Sequence, residues 1–108
     1  MTAEAWKERI SFVLYGEDSW RILSISEDEN GRMELTIDVH GLSVQEARRK
    51  IRNVINISTE AFRLNVVHGY NHGTSIKDML ADKQISKRLE AQYCPQRNPG
   101  ETVMRFVA

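Results

Sequence analysis

Hydrophobic and polar residues alternate most regularly between residues 33 and 40, where every second side chain is apolar. In an extended chain such a run places its apolar side chains on one face, so the segment predicts a half-buried β-strand. A second alternating run precedes it, and Asn30-Gly31 separates the two. Asn-Gly between alternating runs is a strong sign of a hairpin and predicts two antiparallel strands. The inward-facing residues of the second strand would be Met33, Leu35, Ile37 and Val39.

Apolar residues recur at helical spacing in three other segments, which predict helices at about 3–14, 43–58 and 75–82. Ser43 and Glu46 form a capping-box pattern at the start of the second helix. Four basic residues lie mostly off the apolar stripe of this helix, so it should present a basic flank. Taken alone, such a flank is more often solvated surface than a binding site. The four residues are Arg48, Arg49, Lys50 and Arg52.

Short apolar runs at 62–68, 89–93 and 102–107 predict three further strands, the second of them a core strand with Leu89, Ala91 and Tyr93 on one side. The predicted order from residue 32 is therefore βαβαββ, an α/β unit with a mixed four-stranded sheet and two helices. We expect this unit to span 32–108, after an extension over 1–31 that adds a helix and a hairpin strand. Because strand–helix–strand connections join parallel strands, the first two strands of the unit should be parallel and adjacent.

Composition fits one packed domain, since the 108 residues are 41% hydrophobic and 28% charged. No apolar run approaches the roughly 18 residues of a membrane span and the first residues lack a signal-peptide layout, so we expect a cytoplasmic protein with no membrane partner. The single cysteine, Cys94, excludes an internal disulfide.

The net charge of zero conceals an uneven distribution. Residues 1–40 hold four basic against nine acidic residues, a balance of −5, whereas 41–108 hold eleven against six, a balance of +5. The second part of the chain can therefore carry a basic working face.

All three histidines fall in the two loops that the predicted topology brings to one edge of the sheet. His40 follows the first strand of the unit, while His68 and His72 follow the second. Ligands usually bind at this edge of an open α/β sheet, because the carboxyl ends of parallel strands emerge there. The alternative is that Asp38 and its neighbouring glycine only form the turns that a strand-to-helix change requires.

The chemistry of these loops suits a phosphate. Helix N-termini offer unpaired N–H groups to an anion, and glycines let the backbone approach it. His40 or His68 could exchange a proton with a water or hydroxyl, and Asp38 could orient an imidazole or hold a divalent ion. A zinc site built from Asp38, His40, His68 and His72 is chemically conceivable, but the spacing does not enforce it.

The segments "IDVHGLSVQEARRKI", "LNVVHGYNHGTSIKDML" and "NPGETVMRF" resemble, in this order, the small MutS-related (Smr) domain. That family has an Asp-Leu-His-Gly step, a helix, a His-Gly-x-Gly-x-Gly loop and a closing Gly-x-Thr strand. The resemblance covers about residues 33–107. Val39 replaces the leucine of the first motif and keeps its apolar character. Asn71 replaces the middle glycine of the second, where its side chain would crowd a phosphate, which favours binding over cleavage.

The resemblance implies a two-layer βαβαββ sandwich, like the C-terminal domain of bacterial translation initiation factor three. It also implies nucleic-acid binding and, in several relatives, metal-assisted nicking of DNA or cleavage of RNA. By position, the catalytic residues would be Asp38, His40 and His68, with Asp38 as the metal ligand. Together with the basic flank, the residues expected to contact nucleic acid are Gly41, Arg48, Arg49, Lys50, Arg52, Gly69, Asn71, His72, Gly73 and Thr74.

Three functions are consistent with these patterns. The first is a domain that binds DNA or structured RNA through phosphate. The second is an endonuclease that uses Mg²⁺ or Mn²⁺, with no organic cofactor. The third is a protein-interaction module that docks a partner or a second copy through residues 1–31, for which an exposed apolar patch around Trp6, Phe12 and Tyr15 would be the sign.

Overall fold

The structure, a computed structural model, describes residues 4–10, 21–57, 60–69, 75–82 and 85–108. These residues form three helices and a mixed five-stranded sheet. The α/β class predicted from the sequence is confirmed. Within these residues no helix is both long and apolar enough to cross a membrane. The elements in chain order are α1 (residues 4–10), β1 (Ile22–Glu27), β2 (Met33–Asp38), α2 (Val44–Ile57), β3 (Phe62–Val67), α3 (Ser75–Ala81), β4 (Leu89–Tyr93) and β5 (Glu101–Phe106).

The strands follow the order β1-β2-β3-β5-β4 across the sheet. β1 and β2 form the predicted antiparallel hairpin, and Gly31 adopts the positive φ of 77° that its turn requires. β2 and β3 are adjacent and parallel, which confirms the pairing expected from the connecting helix. β5 then pairs antiparallel with β3, and β4 pairs antiparallel with β5.

One side of the sheet carries the hydrophobic core. The inward-facing side chains of β2, β3 and β5 form a single buried cluster with residues from all three described helices. Trp6 of α1 belongs to this cluster, with its ring 5.2 Å from that of Phe62, which stacks at 4.9 Å on Phe106. Trp6 is fully buried, so it does not contribute to the exposed apolar patch that would be the sign of an interaction module. Phe12 and Tyr15, the other two residues named for that patch, lie outside the described residues.

The prediction that residues 89–93 form a core strand is wrong. β4 lies at the edge of the sheet, and its Tyr93 side chain is 51% exposed. The pairing with β5 shifts register between Leu89 and Ala91, so the apolar residues of β4 do not share one buried face. Alternation over five residues does not distinguish an edge strand from a central one.

Two arginines from distant parts of the chain cap the C-terminal end of α2. This helix has no basic residue in its last turn, where carbonyl groups lack intrahelical partners. Arg9 donates to the Ile57 carbonyl at 3.2 Å, and Arg88 donates to the Ile55 carbonyl at 3.0 Å. Arg88 also donates to the carbonyls of Glu60 and Val107, both at 2.9 Å. It thus ties α2, the start of β3 and the end of β5 together.

We expect Arg88→Lys to lower the free energy of unfolding by about 1–3 kcal/mol, because one ammonium group cannot reproduce a planar fork that reaches three carbonyls. The matched control is Arg105→Lys, whose residue pairs with Glu90 at 3.7 Å on the exposed surface. This control should change stability by at most about 0.5 kcal/mol. Urea unfolding of the full chain measures both, and equal losses would contradict the role given to Arg88.

Candidate functional site

Parallel pairing of β2 and β3 brings the two predicted loops together at one edge of the sheet. Asp38 and Val67 are the last paired residues, and the Val39 N–H group donates to the Val67 carbonyl at 2.9 Å. A Cβ atom built on Gly69 would lie 3.6 Å from the His40 Cβ. The expected meeting of residues 38–41 with His68 and Gly69 is confirmed.

Asp38 and His40 form a hydrogen-bonded pair. Asp38 Oδ1 accepts from the backbone N–H group of His40 at 3.0 Å and from its Nδ1 at 2.5 Å. The Asp38 side chain is only 14% exposed, whereas that of His40 is 60% exposed. Because a carboxylate can only accept, Nδ1 carries the proton and Nε2 of the neutral ring is left as the proton acceptor. A mostly buried carboxylate therefore fixes the orientation of the exposed His40 ring.

Arg21 holds the backbone of this loop, a role that the sequence did not reveal. Its Nη1 donates to the His40 carbonyl at 3.1 Å and to the Asp38 carbonyl at 3.4 Å. The Arg21 carbonyl in turn accepts from the Asp38 N–H group at 2.8 Å, which extends the pairing of β1 with β2. No local pattern marks Arg21, because its position beside the loop depends on the register of the hairpin.

His68 has a different environment from His40. Its side chain is buried, Nδ1 lies 2.8 Å from the Gly69 carbonyl, and Nε2 lies 2.9 Å from Thr102 Oγ1. A carbonyl only accepts, so Nδ1 carries the proton and Nε2 accepts from the Thr102 hydroxyl. Both ring nitrogens are thus engaged within the protein. These contacts favour a positioning role for His68.

The turn before β5 completes the loop arrangement. The Gly100 carbonyl accepts from the N–H groups of His68 at 2.8 Å and Gly69 at 2.9 Å. Gly100 and Thr102 therefore both hold the His68-Gly69 step, one through its backbone and the other through its side chain. These residues are the Gly-x-Thr pattern of "NPGETVMRF", so the sequence did contain a signal for them.

The start of α2 agrees with its predicted cap. Ser43 Oγ accepts from the Glu46 N–H group at 3.1 Å and lies 3.1 Å from Glu46 Oε1. One first-turn donor of this helix is therefore satisfied by the protein itself.

The basic flank is confirmed for three of its four residues. Arg48, Arg49 and Arg52 are exposed and border a groove of about 500 Å³ together with Gln45, Asn53 and Asn56. The prediction of an outward-facing basic residue is wrong for Lys50, because its side chain is buried. Lys50 lies three residues after Ala47 and four before Val54, on the inward side of the helix.

A cavity of about 600 Å³ opens between the two loops, α2, α3 and the turn before β5. Among the described residues that line it, Lys77 is the one with a full charge, and none is a carboxylate. The remaining polar side chains are those of two histidines, two serines and one asparagine. The lining residues are His40, Gly41, Leu42, Ser43, Val44, Val67, His68, Gly69, Ser75, Ile76, Lys77, Asn98 and Gly100.

The residues present offer only part of a metal site. Asp38 and His40 are ligand types, but within the described residues no group of three or more such side chains could hold an ion. Both hydrogen bonds between them use Asp38 Oδ1, so Oδ2 is the atom that would ligate a divalent ion. The engaged nitrogens of His68 do not fit the conceivable zinc site. His72 and the other predicted loop residues, Asn71, Gly73 and Thr74, lie outside the described residues.

No protein-family model matches the chain, and no curated protein matches it either. Membership of the Smr family therefore stays a proposal.

Proposed function

We propose that the chain is a nucleic-acid-binding domain of Smr type, in which residues 32–108 form the βαβαββ unit and 1–31 an extension. Its two motif loops would contact phosphate groups of DNA or structured RNA. The observation that carries the proposal is the shared cavity. Both loops open into it, and its charged lining among the described residues is the cation Lys77, without a carboxylate. The carboxylates of Asp38, Glu46 and Glu101 hydrogen-bond to the lining residues His40, Ser43 and Asn98, so a phosphate would be held by direct contact with Lys77 and backbone N–H groups rather than by a net positive charge.

Two features of the loop backbone support phosphate as the ligand. Gly41 has a φ of 78° and Gly69 a φ of 75°, a left-handed conformation that other residues rarely adopt. A Cβ atom at Gly41 would meet no atom within 4 Å, so glycine is needed there for its conformation and leaves open space beside the peptide. The exposed His40 ring adds a donor or acceptor beside it.

The three exposed arginines of α2 support a polyanion longer than one phosphate. They lie on the helix that begins at the cavity, and amide side chains rather than carboxylates complete their groove. Arg48 and Arg49 are within two turns of the helix start at Val44. A strand whose phosphate occupied the cavity could continue along this groove. Binding would then be directed to the backbone and fall steeply with salt.

We expect Arg48→Gln combined with Arg49→Gln to weaken binding to duplex DNA and structured RNA and to lower the slope of log affinity against log salt by about 2, since each phosphate contact contributes about 0.9. The matched control, Arg32→Gln with Lys87→Gln, removes the same charge from exposed residues outside the loops and α2. Titration at several salt concentrations measures the slopes. Equal slopes for the two double variants would contradict the role of α2, and no binding by the parent protein at low salt would overturn the proposal.

A second candidate, an endonuclease, is favoured by the Asp38–His40 pair. His40 Nε2 could accept a proton from a water or a ribose hydroxyl that attacks phosphorus, while Asp38 keeps the ring oriented and stabilises the imidazolium that forms. The bond from phosphorus to the leaving oxygen would break in the same displacement, and the imidazolium or a solvent water would return a proton to that oxygen. A bound Mg²⁺ or Mn²⁺, held through Asp38 Oδ2 and the substrate phosphate, would add polarisation of the phosphoryl oxygen. The exposure of His40 leaves room for a substrate at this nitrogen.

A further inference from the structure

We propose that the cavity receives one unstacked nucleotide, with its base against an apolar wall and its phosphate near Lys77 and His40. This inference rests on the proposed function and narrows its substrate class to nucleic acids that have an unpaired base. A protein that only followed the backbone of a duplex would need a charged surface and no cavity of this size.

The apolar composition of the cavity wall is the first observation that supports binding of a nucleobase. Leu42, Val44, Val67 and Ile76 present aliphatic side chains, and they come from four separate parts of the chain: the loop after β2, the start of α2, the end of β3 and the start of α3. The volume of about 600 Å³ falls within the about 300–1,000 Å³ that is typical of small-molecule pockets. A phosphate alone would leave most of it empty, whereas a nucleobase offers an apolar face of matching character.

The placement of polar groups is the second observation. Lys77 on α3 and His40 on the loop after β2 both line the cavity, so a phosphate can meet a cation and an imidazole while its base lies on the wall. Ser75 also lines it and supplies a hydroxyl group for the edge of a base, and Asn98 supplies its side-chain oxygen, whereas the Ser43 hydroxyl is engaged with Glu46. Proteins that take a base out of its stack read it in this way, by apolar contact with its faces and hydrogen bonds to its edge.

The test compares three oligonucleotide hairpins that differ at one position: fully paired, with a single unpaired base, and with an abasic site in place of that base. We expect the full chain to bind the hairpin with the unpaired base about tenfold more tightly than the other two, because only that base can bury its faces in the cavity. Val44→Trp should remove this preference by filling the space, and Lys77→Gln should weaken binding of the bulged hairpin. Lys87→Gln, a lysine that does not line the cavity, is the matched control and should change neither.

The outcomes separate this inference from the function on which it rests. Equal binding of all three hairpins would overturn the nucleotide pocket and leave phosphate binding in place, whereas no binding of any hairpin would overturn both. If Val44→Trp does not fold, the parent protein is titrated with cytidine 5′-monophosphate, adenosine 5′-monophosphate and inorganic phosphate while the amide signals of Gly41, Gly69 and Gly100 are followed. Shifts that depend on the base support the pocket, and shifts identical to those of inorganic phosphate contradict it.

Discussion

If the protein is the proposed endonuclease, Asp38→Asn and His40→Ala should each lower the rate of phosphodiester cleavage by about a hundredfold or more, which is the contribution expected from a positioned general base. His40→Ala removes the nitrogen that would accept the proton. Asp38→Asn keeps an oxygen for the His40 N–H group but removes the charge that stabilises the imidazolium and fixes Nδ1 as the protonated nitrogen. Neither change removes an apolar side chain from the core, so the fold should persist.

The measurement uses supercoiled plasmid and a structured RNA, each incubated at low salt with Mg²⁺, with Mn²⁺ and with a chelator. Strand breaks and binding are recorded for the parent protein and both variants. Cleavage that requires metal and disappears in both variants would support the endonuclease. Cleavage that persists with the chelator but disappears in His40→Ala would assign the reaction to His40 without an ion. Undiminished cleavage by both variants would place the chemistry elsewhere or in a contaminant.

Binding by the parent protein without any cleavage would make this a recognition domain. The next change would then be Asn71→Gly, which introduces the glycine that the Smr pattern has at this position. Gain of cleavage on that change would attribute the absence of cleavage to the asparagine side chain. Continued absence of cleavage would leave phosphate binding as the function of the site.

Features that local sequence determines were predicted correctly. The turn at Asn30-Gly31, the cap formed by Ser43 and Glu46, and the alternation of β2 each depend on residues that are close in the chain. The parallel pairing of β2 with β3 follows from the handedness of the connection, and this pairing alone brings His40 close to Gly69. The meeting of the two loops could therefore be expected without any knowledge of side-chain contacts.

Features that depend on tertiary register could not be predicted. Arg21 reaches the loop only because β1 pairs with β2 in one particular register, and Arg88 meets carbonyls that lie 19 to 33 residues away. The burial of Lys50 could not be predicted either, since a basic residue at the border of an apolar stripe can face the core or the solvent. No pattern within a short window encodes these contacts.

His40 and His68 differ in exposure because they follow opposite faces of their strands. His40 continues the polar side of β2, two residues after Asp38, whereas His68 continues the buried side of β3, two residues after Val66. In β2 the alternation is clear and the outward position of His40 could be predicted. In β3 the alternation ends in two consecutive apolar residues, Val66 and Val67, so the sequence does not decide which side of the sheet His68 takes.

Because His68 is buried, its removal should have a large effect on the stability of the protein. We expect His68→Ala to lower the free energy of unfolding by about 2–4 kcal/mol, because it removes a buried ring and leaves the Thr102 hydroxyl and the Gly69 carbonyl without their partner. Thr102→Val, which is close in shape, should cost about 1–3 kcal/mol because it leaves His68 Nε2 unsatisfied in the interior. Thr102→Ser retains the hydroxyl and is the matched control, which should recover most of that loss.

Urea unfolding of the two single variants and their combination would measure the coupling between the residues. If His68 and Thr102 act as one hydrogen-bonded unit, the double variant should be less destabilised than the sum of the single variants by at least about 0.5 kcal/mol. Additive losses would contradict the unit. The same proteins test whether this bond matters to the site: Thr102→Ser, which keeps the hydroxyl, should retain the binding and any cleavage of the parent protein, and Thr102→Val should weaken them. If a folded Thr102→Val protein binds and cleaves at the parent's level, the His68–Thr102 contact serves the stability of the sheet edge rather than the geometry of the two loops.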